Sequence, residues 1–169
     1  MSRTDFHQQP LQNFFMSNNK SLAIFLIILG LIIAGCTTSR TTISRSADIS
    51  RYRYASLTDV MSYNGPAGMM DAEIKIYDAI DNSRLRMVGD QAINELSYEQ
   101  KQQLLLARFA VTRNQEETIV TVNFVDYLSG RPIASCRGAS ALGIDSRIDF
   151  NTALKKVAAQ IEKTFPPEP

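Results

Sequence analysis

Few side chains in this sequence are equipped for chemistry, and their identities exclude more than they permit. Among 169 residues there are two cysteines, Cys36 and Cys136, one histidine, His7, and no tryptophan. His7 lies in an N-terminal segment read below as removed. Without it, Ser-His-Asp, Cys-His and His-ligated metal chemistry are all excluded. Cys136 therefore has no histidine base and reads as a buried structural thiol, with a reactive or intermolecular thiol as the other reading. Three carboxylates, Asp126, Asp145 and Asp149, fall near turns beside Arg137 and Arg147. Brought together they would do acid–base work or hold calcium. EF-hand spacing is missing, and helix capping accounts for Asp145 or Asp149 more simply. Gly138 and Gly143 have the spacing of phosphate-loop glycines, but Ile144-Asp145 stands where Lys and Ser or Thr belong, so they read as a turn between strand and helix. The Met69-Met70 pair reads as core filling rather than as a soft binding surface. No catalytic, metal or cofactor-binding residue is assigned.

Cys36 is different because of what precedes it. Leu22 to Gly35 is an uncharged and almost wholly apolar run of 14 residues, with Lys20 before it. A bilayer-spanning helix needs about 20 apolar residues, so the run is short for an anchor and has the form of a secretory signal peptide. The stretch Ile33-Ala34-Gly35-Cys36 resembles the lipobox of bacterial lipoproteins. That resemblance implies that Cys36 carries the acyl chains, that residues 1–35 are removed, and that the membrane is reached through the acylated cysteine. Two or more acyl chains hold a protein stably on a bilayer, at about 0.8 kcal/mol per buried methylene. The resemblance also implies a bacterial cell-envelope location. Thr37, rather than Asp, follows the cysteine, which by the enterobacterial sorting rule implies the outer membrane. Residues 1–15 are long for an n-region, and Met16 opens a more ordinary one, so Met16 is read as the start of translation.

After Cys36 acids and bases balance, which removes bulk electrostatic attraction to nucleic acid as a theme. Residues 36–50, rich in Ser, Thr and Arg, read as a flexible tether reaching about 50 Å at roughly 3.5 Å per residue. Arg40, Arg45, Arg51 and Arg53 are too widely spaced for a polybasic patch and read as solvated.

Residues 51–169 read as one domain. Arg51 to Ala55 alternates like a strand, and 62–68 is turn chemistry. Met70, Ile74, Tyr77 and Asp81 fall at helical spacing, with Ile76 and Ile80 adjacent, so 69–82 is read as a helix. A short strand at 84–88 follows. Ser97 and Gln100 have capping-box spacing for a helix over 97–102. Residues 104–113, 118–127 and 132–139 read as three strands of an antiparallel meander. Phe150, Leu154, Val157, Ile161 and Phe165 make one stripe on a closing helix, capped by Asp145 or Asp149 and ended by Pro166-Pro167. The order is β-α-β-(α)-β-β-β-α: an α+β two-layer sandwich, mostly antiparallel, with helices on one sheet face. With the Asp126 to Gly130 turn and the closing helix, residues 51–165 resemble small envelope lipoprotein domains, akin to the N-terminal domain of TolB or the periplasmic CsgG domain. That likeness is architectural and implies no activity.

Three functions are expected in order. The first is a protein-interaction or envelope-assembly module with an envelope protein partner, pairing through an edge strand such as 51–57 or 131–139. The second is a small-ligand or lipid carrier with its cavity between sheet and helices. The third is a histidine-free hydrolase on Asp126, Asp145 and Asp149.

Overall fold

The computed structural model describes residues 39–57, 68–141, 143 and 145–168. Cys36, the apolar run, Met16 and most of the 62–68 turn lie outside them. Among the described residues no helix is long and apolar enough to cross a membrane.

The chain folds as an α+β sandwich of one six-stranded sheet with helices on one face. Strands β1 (Arg40–Ile43), β2 (Tyr54–Leu57), β3 (Arg86–Met87), β4 (Leu104–Arg113), β5 (Glu117–Asp126) and β6 (Pro132–Ala141) stand in the order β1-β6-β5-β4-β2-β3. The meander β4-β5-β6 is antiparallel, as the alternation of its sequence demands, and β1 adds antiparallel to β6. β2 runs parallel to both β4 and β3, so the sheet is mixed.

Register decides which side chains become core. Val120, Val122 and Phe124 of β5 stand beside Gly138, Cys136 and Ala134 of β6 and beside Val111, Phe109 and Ala107 of β4. That face receives helices α1 (Gly68–Asp81) and α3 (Ser146–Thr164). Leu154, Val157, Ile161 and Phe165 are all buried on it, and the Phe165 ring meets Phe124 edge-on at 4.9 Å. Asp145 caps α3 by accepting the Arg147 amide at 2.8 Å. The short helix α2 (Tyr98–Lys101) carries the full capping box of Ser97 and Gln100.

Four expectations need correction. The tether is not free throughout: Arg40–Ile43 is an edge strand, held because its backbone pairs with Ala134 to Arg137 and because Thr41 tucks its hydroxyl against Gln160 and Thr164. Residues 51–57 and 131–139 are not edges. β2 lies between β4 and β3, and β6 lies between β5 and β1. Gly138 is no turn residue; it sits inside β6 where the backbone of α3 crosses. On α1 the buried residues are Ala72, Ile76, Ala79 and Ile80, while Met70, Ile74 and Tyr77 face outward. Met70 is thus half exposed rather than core filling.

Candidate functional site

At one end of the sheet three connections converge. They are the β1–β2 segment through Ser46 to Arg53, Gln102-Gln103 ahead of β4, and the β5–β6 turn through Leu128, Ser129 and Arg131. Together they line an open groove of about 870 Å³. Its floor is Asp126, the last residue of β5, which is only 4% exposed.

Asp126 continues the inward phase of Val120, Val122 and Phe124, so the strand carries a carboxylate into a core position. Such burial is tolerated only when the oxygens are fully satisfied. Here one oxygen accepts the Ser129 amide at 2.8 Å and the Ser129 hydroxyl at 2.7 Å. The other accepts the Arg51 guanidinium at 2.6 Å and the Tyr52 hydroxyl at 3.0 Å. Four donors match the roughly four lone-pair sites of a carboxylate. Burial alone would raise its pKa. The Ser129 hydroxyl and amide, the Tyr52 hydroxyl and Arg51 outweigh burial and hold it below the ordinary carboxylate range. The Tyr52 phenol is pushed up, by burial and then by donating to Asp126. The turn that brings Ser129 round is closed by the Gly130 amide to the Asp126 carbonyl at 2.9 Å, with Gly130 at φ 67°, a conformation glycine adopts without strain.

The remaining charged side chains of the groove are hydrogen-bonded, Asp48 by the Ser50 amide and hydroxyl. Arg53 pairs with Glu168, and Arg131 donates to the Ser46 hydroxyl. Arg51 lies over the Tyr52 ring at 4.7 Å. The four arginines read as solvated do not form one patch: Arg51 and Arg53 pair with Asp126 and Glu168, Arg40 lies on β1 opposite Arg137, and Arg45 is exposed. An ionised carboxylate with every lone pair engaged is a poor base and a poor metal ligand. The knot instead fastens the β1–β2 segment to the β5–β6 turn, and leaves a groove lined by hydroxyls, amides and charged groups together with Ala47, Leu128 and Ile133.

The other carboxylates do not join it. Asp145 and Asp149 lie past the far end of β6, a strand of 10 residues that spans about 30 Å at roughly 3.3 Å per residue. Asp149 is 5% exposed and accepts the Gly143 amide at 2.8 Å, fixing the turn into α3. The triad considered for a hydrolase is therefore dispersed into one knot and two helix-start contacts. Among the described residues no group of three or more His, Cys, Asp or Glu gathers to hold a metal ion.

Cys136 is buried on β6 under α3, 3.6 Å from both the Thr164 and Thr41 hydroxyls. Burial pushes its thiol pKa up, against the smaller opposing effect of these hydroxyls. A thiol so placed is inert, which fits the structural reading.

Sequence comparison adds no family: no family model and no curated protein matches the chain. Fold comparison finds distant likenesses. Two structures of the PelC dodecamer from Paraburkholderia phytofirmans, native and variant, share 14% and 13% identity. Each has a TM-score of 0.45 and covers 78% of this chain and 99% of PelC. A PDZ domain protein from Parabacteroides distasonis shares 11% identity at a TM-score of 0.51, over 78% of this chain and 36% of that protein. The last likeness supports the α+β fold and nothing finer.

Proposed function

We propose that this protein is a lipid-anchored lipoprotein of the bacterial cell envelope, and that its folded domain is a non-enzymatic protein-interaction module. The observation that carries the reading is the apolar run ending in Ile33-Ala34-Gly35-Cys36, followed after three residues by the start of a folded sheet. Only Thr37 to Ser39 separate Cys36 from β1, so the covalent reach is at most about 14 Å at roughly 3.5 Å per residue. An acylated Cys36 would hold the domain close to the bilayer, in the outer membrane on the sorting rule. The outer edge of β1 supports the interaction role, because among the described residues no strand pairs with it and its backbone can accept one.

A small-ligand carrier is the second reading, and the groove over Asp126 favours it. That groove lies at the end of the sheet rather than between sheet and helices. Its lining mixes hydroxyls, amides and charged groups with Ala47, Leu128 and Ile133, so it offers a ligand both polar and apolar contact.

Mass spectrometry of the protein extracted from its native membrane, beside the Cys36→Ala form, tests the anchor. A native chain beginning at Cys36 with acyl mass, lost in Cys36→Ala, is expected. An unlipidated chain that keeps residues 16–35 would overturn the reading.

A further inference from the structure

Helix α1 is apolar on two sides. Its inner side, Ala72, Ile76, Ala79 and Ile80, fills the core. On the outer side Met70, Ile74 and Tyr77, stepping by four and three residues, are 50%, 53% and 46% exposed. Single exposed apolar side chains are ordinary, but three in register form a continuous row on one helix. With about half of each surface open, the row amounts to on the order of 300 Å², the scale of a functional patch on a monomer.

The charge around the row is one-sided. Asp71, Asp78 and Asp81 are exposed on α1, and Glu73 is half-buried on the opposite flank. The single base of the helix, Lys75, is turned aside to the Asn151 side chain of α3 at 2.6 Å. Three occupants of such a row can be weighed. An anionic bilayer surface would be repelled by the acids. A second copy related by a two-fold axis would set the same acids against each other. A segment with apolar anchors at helical spacing and Lys or Arg beside them satisfies both the row and its flanks. The flexible Met70 side chain adapts to the shape of what it meets.

We propose that the outer face of α1 docks a basic amphipathic segment of another protein, with Met70, Ile74 and Tyr77 taking its apolar anchors and Asp71, Asp78 and Asp81 facing its cations. This deepens the interaction-module reading and rests on it. The test is photo-cross-linking of the full chain in its native membrane, using Ile74→p-benzoylphenylalanine and, separately, Thr42→p-benzoylphenylalanine on the β1 edge. The expected result at position 74 is one discrete protein adduct whose attached peptide carries Lys or Arg. Its yield should fall at least five-fold when Asp71, Asp78 and Asp81 are all changed to Asn, with the circular dichroism unchanged. An adduct with lipid, with a second copy of this chain, or with an uncharged or acidic peptide would overturn the docking site. An adduct at position 42 alone would overturn it while leaving the module intact. Adducts at neither position would remove both readings.

Discussion

Gly138→Ala is the most direct test of how α3 is seated. A methyl group built on Gly138 would stand 2.2 Å from the Ala153 carbonyl oxygen and 2.5 Å from the Val157 amide nitrogen. Ordinary non-bonded contact lies near about 3.5 Å, so relief requires a shift of roughly 1 Å. Both obstructing atoms belong to the helix backbone, and α3 is pinned on the same face by Leu154, Val157 and Ile161. The shift must therefore move the helix rather than one side chain. Overpacking of this kind costs about 1–3 kcal/mol, and a backbone obstruction belongs at the upper end. Alanine recovers about 0.5–1 kcal/mol by restricting the unfolded chain. The net expectation is a loss of about 2–2.5 kcal/mol, or roughly 10 °C in Tm for a domain of this size. Gly143→Ala is the matched control. Its methyl would meet the Asp149 carboxylate oxygen at 3.0 Å, a side-chain end that can yield, and the expected loss is under about 1 kcal/mol. Thermal melts of the detergent-solubilised chain by far-ultraviolet circular dichroism read both. A Gly138→Ala melt within about 0.5 kcal/mol of the native protein would refute the seating of α3 on β6.

Asp126→Ala should destabilise by about 2–3 kcal/mol, since it strands the Tyr52 hydroxyl and the Ser129 amide; denaturant titration reads it, and a loss below about 0.5 kcal/mol would refute the knot. Because the folded pKa of Asp126 is depressed, its contribution is present above the unfolded value near about 3.9 and is lost as pH falls through the folded value. Asp126→Asn should therefore flatten the acid limb of the stability–pH curve while changing its slope near neutrality little. Cys136 should resist iodoacetamide in the folded chain and react promptly in denaturant, as timed alkylation followed by mass spectrometry would show; fast native alkylation would contradict its burial.

The elements that were legible in the sequence are those whose apolar pattern is local. The stripe of α3 and the alternation of β4 and β5 need no partner to be read, and the Ser97–Gln100 box marks its own helix start. β1 was not legible, because Arg40-Thr41-Thr42-Ile43 has no apolar alternation and owes its conformation to β6, nearly a hundred residues away. The sheet edges are hidden from the sequence for the same reason: which strand lies outermost depends on non-local pairing. Likewise, helical spacing marked Met70, Ile74 and Tyr77, but both sides of α1 carry apolar rows, and periodicity alone does not say which one is buried. A signal for the Asp126 knot did exist. The acid falls in phase with Val120, Val122 and Phe124, and an in-phase carboxylate must find buried donors. Its partners, Arg51 and Tyr52, come from the far end of the domain sequence and no spacing rule names them.

The fold also keeps the two proposed contacts apart. β1, the strand nearest Cys36 in the chain, forms one edge of the sheet, and β2 lies four inter-strand steps away across β6, β5 and β4. At about 4.8 Å per step this is roughly 19 Å. α3 packs over β6 and β5, whereas α1 packs beside α3 and reaches β3 at the opposite edge. The β1 edge and α1 therefore lie toward opposite edges of the sheet. With the β1 edge and the outer face of α1 on separate parts of the domain, a strand added to β1 and a basic segment docked on α1, both as proposed, would not compete for the same surface.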